Sequence, residues 1–183
     1  MNSELLEQIP DKQLQWKDTT SRVWKKDLYN FFKDKGLKNC LEIGTNHGWT
    51  ALWCSTLFEH VYTVEYDYNK YMSAQRHCKE FDRDNITFIQ GDAYQDDTYI
   101  DVPKDIDVII IDCMHIYDYV IADINRALAY YTCNGAGKVY IVFDDYGHPT
   151  STGVYDAIQE SIQAGLDVEA YIGQGAGFLV NRT

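Results

Sequence analysis

Basic residues are scarce in this sequence. Among its 183 residues, 16 are Lys or Arg and 28 are Asp or Glu, which gives a formal net charge of −12 at pH 7. An excess of negative charge of this size repels the phosphate backbone of nucleic acid. We therefore expect no nucleic-acid partner.

Long apolar runs are also missing. No stretch reaches the roughly 18 consecutive apolar residues that a membrane-spanning helix needs. Residues 1–20 show neither the basic start nor the apolar middle of a secretory signal peptide. These two absences lead us to expect a soluble, cytoplasmic protein that has no membrane partner.

Cysteine and proline are few and scattered. The five cysteines are an odd number without any Cys-x-x-Cys pair, so we expect reduced thiols and no zinc site. The three prolines fall between predicted elements, and no repeat or linker interrupts the chain. We expect one domain over residues 1–183, with an N-terminal helical segment (1–36) and a core (37–183). The cysteines are Cys40, Cys54, Cys78, Cys113 and Cys133.

Short apolar runs alternate with segments of helical periodicity. A first helix is predicted from Ser21 to Lys35, and Gly36 ends it. Further helices are predicted over 47–53, 68–81, 117–131 and 153–164. The apolar runs that predict strands are 40–43, 61–65, 86–90, 107–111, 138–143, 168–172 and 178–180.

The order of these segments predicts the fold class. Strands that alternate with helices form a doubly wound, mostly parallel sheet with helices on both faces. The last two strands flank the Gly-rich turn 173–177 and predict an antiparallel hairpin. We therefore expect an α/β fold with a seven-stranded sheet, closed by an antiparallel strand at or near one edge.

A glycine turn follows the first predicted strand. Gly44 and Gly48 bracket this turn, where missing side chains let a ligand approach the backbone N–H groups. Glu65 lies 21 residues after Gly44 and ends the second strand, where a carboxylate can accept both hydroxyls of a ribose. The turn alone is weak evidence, and Asn46 replaces the second glycine of a dinucleotide fingerprint. Turn and acid together point to an adenosyl group.

The segment from Glu42 to Gly48 resembles the first motif of class I methyltransferases, and Val61 to Asp67 resembles the next. The likeness extends over roughly residues 37 to 180 and implies a Rossmann-like methyltransferase core that binds S-adenosylmethionine. It implies that the methionine part contacts the glycine turn, that the ribose is held at the second strand, and that the adenine lies beyond the third. The implied cofactor residues are Glu42, Gly44, Thr45, Gly48, Glu65, Gly91, Asp92, Ala93 and Asp112.

Acidic residues also follow the fourth and fifth strands. Asp112 is followed three residues later by His115, and Asp144 and Asp145 follow the next strand. Three carboxylates without counter-charge would repel one another, and a hard divalent cation would relieve that repulsion. Magnesium is the cation we expect here. His115 could then take a proton from an acceptor hydroxyl.

This second pattern is similar to that of the metal-dependent O-methyltransferases related to the macrocin and mycinamicin sugar enzymes. The resemblance implies that Asp112, Asp144 and Asp145 are metal ligands and that His115 is the general base. Those enzymes are larger, and the short N-terminal segment here supplies little of a cap over a macrolide. The acceptor hydroxyl, on a sugar or another small metabolite, is therefore left open, as is a homo-oligomeric state.

Two other functions fit the same residues. A metal-independent methyltransferase could act on a nitrogen acceptor, with Asp144 and Asp145 only capping a helix. Alternatively, a catalytically idle module could bind the adenosyl group and contact a partner protein. Metal titration separates the first of these from the leading hypothesis, and an acceptor panel separates the second.

Overall fold

The computed structural model describes residues 3–10, 19–132, 139–173 and 178–182. Three features of the sequence prediction lie outside the described residues: Cys133, Lys138 at the start of the fifth predicted strand, and residues 174–177 of the Gly-rich turn. No helix in the described ranges is long and apolar enough to cross a membrane.

Helices and strands alternate through most of the chain. A short 3-10 helix, Asp96–Tyr99, follows β3. The strands are β1 (Asn39–Ile43), β2 (His60–Glu65), β3 (Ile86–Gln90), β4 (Val108–Ile111), β5 (Val139–Phe143), β6 (Asp167–Tyr171) and β7 (Phe178–Arg182). The helices are α1 (Ser3–Gln8), α2 (Arg22–Phe32), α3 (Trp49–Cys54), α4 (Tyr68–Glu80), α5 (Tyr117–Thr132) and α6 (Thr152–Gln163).

The strands form one sheet in the order β3-β2-β1-β4-β5-β7-β6. The first five strands in chain order are parallel, and β7 pairs antiparallel with both β5 and β6. The predicted doubly wound α/β class is therefore confirmed. Strand β7 lies between β5 and β6, so β6 is the edge strand on that side.

The two faces of the sheet bury different clusters of apolar side chains. Alternate residues of β4 point to opposite faces, as the pleat requires. Ile109 and Ile111 pack with residues of α5 and α6, whereas Val108 and Ile110 pack with Trp24 and other residues of α2 and α3. The helices on both faces thus hold the central strands in a buried layer.

Element boundaries differ from the predictions by a few residues, and two elements had no counterpart. Helix α1 falls within the predicted N-terminal helical segment (1–36) but was not predicted as a separate helix, and the 3-10 helix was not predicted. Helix α2 begins where predicted, with the Ser21 side chain accepting from the backbone N–H of Trp24, but it ends at Phe32 before the expected Lys35. Helix α3 begins at Trp49 because Gly48 has a left-handed backbone with φ +79°.

The register of the parallel strands brings their carboxyl ends into one row. Ile43 of β1 is level with Val64 of β2 and with Ile111 of β4, and Ile111 is level with Phe143 of β5. The residues that follow these ends are therefore neighbours across the sheet, which is where ligands bind in this architecture.

Candidate functional site

A cavity of about 620 Å³ opens at the carboxyl edge of the sheet. The predicted site residues that line it are Gly44, Glu65, Asp92, Ala93, Asp112, His115, Asp144 and Asp145. Five strand ends contribute to this set, so residues far apart in the sequence share one cavity. The volume is within the range that small-molecule sites occupy.

Gly44 is required where β1 meets the end of β4. Its φ is +105°, and a Cβ there would lie 2.0 Å from the Asp112 carbonyl oxygen. Its backbone N–H donates to the Val64 carbonyl at 3.1 Å, as does that of Thr45 at 3.0 Å. The turn is therefore pressed against two neighbouring strands, and its missing side chain leaves the floor of the cavity open.

Four predicted cofactor residues do not line the cavity. Glu42 and Thr45 are buried behind it, where the Thr63 hydroxyl donates to the Glu42 carboxylate and shares a 2.5 Å hydrogen bond with the Thr45 hydroxyl. A Cβ on Gly48 would lie 2.9 Å from that of Ala74, and one on Gly91 would lie 2.7 Å from the Thr98 hydroxyl. The lining residues of the cavity are thus supported by these four from behind.

Glu65 is held at the cavity wall by backbone donors. Its Oε2 accepts from the Asn46 N–H at 2.7 Å, and its Oε1 accepts from the Asp67 N–H at 2.9 Å. Asn46 has a left-handed backbone, with φ +50°. This residue, which breaks the dinucleotide pattern, instead lets the glycine turn orient the carboxylate that follows β2.

Asp92 orients the loop after β3. Its Oδ1 accepts from the Tyr94 N–H at 2.9 Å. The ring of Tyr94 lies 4.5 Å from that of Tyr119, and both rings line the cavity beside Ala93. The two tyrosines were not among the predicted site residues, although their place after strands β3 and β4 could have indicated them.

The His115 imidazole lies between two carboxylates. Its Nε2 is 3.6 Å from Asp112 Oδ1, and its Nδ1 is 3.3 Å from Asp145 Oδ2. The Ser151 hydroxyl is near both groups, 3.5 Å from Nδ1 and 3.4 Å from Asp145 Oδ2. Asp112 is the main cause of a raised pKa for His115, burial opposes it, and Asp145 and Asp144 raise it further. The ring is thus oriented and made more basic from two strands.

The acidic pair after β5 does not cap a helix. Helix α6 has Ser151 as its N-cap residue, six positions after Asp145. Asp144 and Asp145 are 2% and 5% exposed, and Asp145 has a left-handed backbone with φ +58°. Burying both carboxylates, and holding Asp145 in a left-handed backbone, has a cost that a purely capping role would not require.

The predicted magnesium site is not supported by this geometry. Within the described ranges, no group of three His, Cys, Asp or Glu residues is arranged to hold a metal ion. The prediction assumed that the carboxylates lack a counter-charge, but His115 lies between two of them.

A second counter-charge comes from Lys25, which the sequence analysis did not identify. Its ammonium is fully buried and donates to the Thr19 hydroxyl and to the carbonyl and hydroxyl of Thr20, at 3.0, 2.5 and 2.5 Å. Burial lowers the pKa of Lys25 to about 8, and the charge of Asp144 is the largest opposing influence. Helix α2 thus brings a cation beneath the acidic cavity.

Asp123 is a buried acid behind the cavity that the sequence analysis also missed. It lies on α5, is 0% exposed, and neither carboxyl oxygen has a hydrogen-bond partner among the described residues. Burial raises its pKa to about 7, partly opposed by the charge of Arg126. In the sequence, Asp123 is a single polar residue among the apolar residues of a predicted helix. Such residues are common, so nothing in the sequence indicated that this carboxylate is buried behind the cavity.

A family model with the description methyltransferase domain matches residues 41–146. The match begins in β1 and ends just after the acidic pair, so it includes all the cavity-lining residues listed above as predicted. No curated protein matches the chain in sequence.

Solved structures share the fold at low sequence identity. An O-methyltransferase from Bacillus cereus in complex with SAH is 20% identical, with a TM-score of 0.72 over 98% of this chain and 88% of that one. TomG, an O-methyltransferase from Streptomyces achromogenes in complex with SAM, is 18% identical, with a TM-score of 0.71 over 99% and 90%. The SAH-bound methyltransferase PaMTH1 from Podospora anserina is 15% identical, with a TM-score of 0.75 over 97% and 86%.

Proposed function

The chain belongs to the methyltransferase domain family, and on this premise we propose that it transfers a methyl group from S-adenosylmethionine to a hydroxyl of a small-molecule acceptor. When bound, S-adenosylmethionine supplies a methyl group on a sulfonium centre. The acceptor oxygen forms a bond to this methyl carbon as the carbon–sulfur bond breaks. The hydroxyl proton must leave at the same time.

The observation that carries the proposal is the position of His115. Its ring lines the cavity with Nδ1 3.3 Å from the Asp145 carboxylate, and Nε2, 3.6 Å from that of Asp112, has no hydrogen-bond partner among the described residues. An imidazole oriented in this way can take the hydroxyl proton, and the carboxylates stabilise the imidazolium that forms. Hydroxyl acceptors need this deprotonation more than amines do, which favours O-methylation over the nitrogen alternative.

The cofactor would lie along the cavity from β4 to β3. Gly44 leaves room for it above the first turn, and Glu65, already fixed by two backbone N–H groups, is placed to accept from the ribose hydroxyls. Asp92 and Ala93 are proposed to lie beside the adenine, and Asp112 near the methyl group. Glu42, Thr45, Gly48 and Gly91 are proposed to shape this site from behind the lining.

Magnesium assistance is a separate proposal from the proton transfer. The experiment is methyl transfer measured in EDTA and again after Mg²⁺ is restored. Full turnover in EDTA would leave proton transfer to His115 as the sufficient mechanism. A loss that Mg²⁺ reverses would give Asp112, Asp144 and Asp145 the role of ligands, in an arrangement different from the one described here.

The function as a whole is tested with isotopically labelled S-adenosylmethionine and a panel of small alcohols, phenols and amines. Mass spectrometry of the products locates the label, and the expected label is on oxygen. Label on nitrogen alone would favour the metal-independent alternative. Cofactor binding without transfer to any acceptor would favour the idle adenosyl-binding module.

A further inference from the structure

Helix α4 is joined to the glycine turn by three polar side chains. The His77 Nδ1–H donates to the His47 carbonyl at 3.0 Å, and the Cys78 thiol donates to the Gly48 carbonyl at 3.6 Å. The Ser73 hydroxyl lies 3.3 Å from Nδ1 of His47. Because Ser73 and His77 are one helical turn apart, this face of α4 lies along the glycine turn.

The hydrogen bond from His77 is the strongest of these constraints on the backbone of the turn. A thiol is only a weak donor, and the Ser73 hydroxyl contacts a side chain. The His77 ring also stacks on that of Trp49, with centroids 4.6 Å apart and planes at 16°. Trp49 begins α3 directly after the turn, so stacking orients the imidazole whose N–H holds the turn.

The glycine turn needs such support because its backbone is strained. Asn46 has φ +50° and Gly48 has φ +79°, so His47 lies between two left-handed residues. A left-handed backbone is unfavourable for a residue other than glycine, and it persists only where the surrounding structure holds it. His77 is not among the described lining residues of the cavity. It therefore supports the turn from outside the site.

Helix α4 also begins at the cavity, where it contacts Glu65. Asp67 caps the helix and lines the cavity, and its backbone N–H donates to Oε1 of Glu65. Oε2 of the same carboxylate accepts from the Asn46 N–H in the glycine turn. Glu65 thus joins the glycine turn to the start of α4, and His77 joins the far end of α4 back to that turn.

We infer that His77 is a positioning residue for the cofactor, because it fixes the glycine turn and, through the Asn46 N–H, the Glu65 carboxylate. This inference rests on the part of the proposed function in which Glu65 accepts from the ribose hydroxyls of S-adenosylmethionine. Since the effect of His77 reaches the cofactor through Glu65, it changes cofactor binding and leaves proton transfer to His115 unchanged.

The test separates the N–H of His77 from its ring. His77→Phe keeps a ring that can stack on Trp49 and removes the donor, whereas His77→Asn keeps a donor near the position of Nδ1 and removes the ring. The Kd for S-adenosylhomocysteine is measured by calorimetry. His77→Phe should raise it about fivefold, which corresponds to about 1 kcal/mol, the usual net contribution of one hydrogen bond. His77→Asn should stay within about twofold of wild type.

The matched control is His60→Phe, because the His60 imidazole also makes a hydrogen bond, 2.8 Å from Nε2 to the Thr87 hydroxyl. His60 lies at the amino end of β2, away from the cavity, so its loss should leave the Kd unchanged. Denaturant unfolding of each variant separates lost stability from lost positioning. A His77→Phe protein that is less stable but binds S-adenosylhomocysteine as wild type does would overturn the inference.

A double variant tests the route through Glu65. In a Glu65→Gln background, His77→Phe should raise the Kd by less than about twofold, because the two residues act on the cofactor through one carboxylate. A rise as large as the one in the wild-type background would show that His77 acts by another route, and the inference would fail.

Methyl transfer is measured separately, so failure of the inference is distinguishable from failure of the proposed function. His77→Phe should raise the KM for S-adenosylmethionine and keep the wild-type kcat when the cofactor is saturating. Transfer with an unchanged KM would refute the inference and leave the function standing. A Kd that depends on His77 in a protein that transfers no methyl group would support the inference and count against the function.

Discussion

Asp145 Oδ2 lies 3.3 Å from Nδ1 of His115. The carboxylate follows β5 and the imidazole follows β4, so pairing of these two central strands fixes the distance between acid and base. Asp145 reaches this position with a left-handed backbone, φ +58°. Asp145 is thus a strained residue that orients the imidazole of His115 at the cavity wall. Such an arrangement is typical of a site for acid–base chemistry.

The first prediction concerns His115 itself. His115→Ala should lower kcat for methyl transfer by about 100-fold or more, because general-base catalysis contributes about that much. Cofactor affinity, measured by calorimetry, should change less than about twofold. His60→Ala is the control, since His60 begins β2 at the opposite edge of the sheet. Full activity in His115→Ala would remove it from the role of base.

Glu65→Gln should have the reverse effect. The substitution replaces a carboxylate that accepts from two backbone N–H groups, so it weakens the turn as well as any ribose contact. We expect cofactor Kd to rise about tenfold or more, since one charge-assisted hydrogen bond is worth about 1.5–3 kcal/mol. Glu59→Gln, at an exposed ion pair with Lys38, should leave the Kd unchanged. Equal Kd values in both variants would contradict the ribose assignment.

Two glycines with left-handed backbones provide a matched pair for stability. Gly44→Ala should cost several kcal/mol of unfolding free energy, because its Cβ would lie 2.0 Å from the Asp112 carbonyl oxygen. Gly36→Ala, with φ +66° and nothing within 4 Å, should cost only the backbone strain of about 1 kcal/mol. Denaturant unfolding measures both. Similar losses in the two variants would show that the contact between β1 and β4 is looser than described.

Lys25→Met should destabilise the fold although it removes only one side chain. The Thr19 hydroxyl and the carbonyl and hydroxyl of Thr20 lose their charged donor, and leaving buried groups unsatisfied in this way costs about 1–3 kcal/mol. Lys26→Met is the control, because the neighbouring lysine is exposed and should change stability by less than about 0.5 kcal/mol. A Lys25→Met protein as stable as Lys26→Met would mean that the ammonium does not balance the acidic residues.

Asp123 predicts an unusual dependence of stability on pH. Burial raises its pKa from 3.8 to about 7, so the folded chain binds this proton more tightly than the unfolded chain does. Between these values, rising pH therefore lowers the unfolding free energy, by at most about 1.4 kcal/mol per pH unit from this group. Asp123→Asn should remove that slope and be more stable than wild type at pH 8. The exposed Asp118→Asn should keep the wild-type slope, and an unchanged slope in Asp123→Asn would refute the assignment.

Much of the fold was predictable because its signals are local. Apolar runs and helical periodicity depend on residues a few positions apart, so the alternation of strands and helices and the turn at Gly44 were predicted correctly. The methyltransferase prediction, which rested on that turn and on the acids at the strand ends, is confirmed by the family match. The specific sugar-enzyme subfamily and the acceptor stay predictions.

The sequence by itself determined which residues end the parallel strands, and therefore which carboxylates and which imidazole share one edge of the sheet. Only the tertiary structure decided what surrounds them. Lys25 lies beneath the acidic cavity, on a helix more than a hundred residues before Asp144 in the chain, and Asp123 lies behind the cavity on another helix. Long-range packing places each of these charges near the cavity from a different face of the sheet, and such packing leaves no periodic trace in the sequence. For that reason the acids and the imidazole at the strand ends were predicted, whereas Lys25 and Asp123 were not.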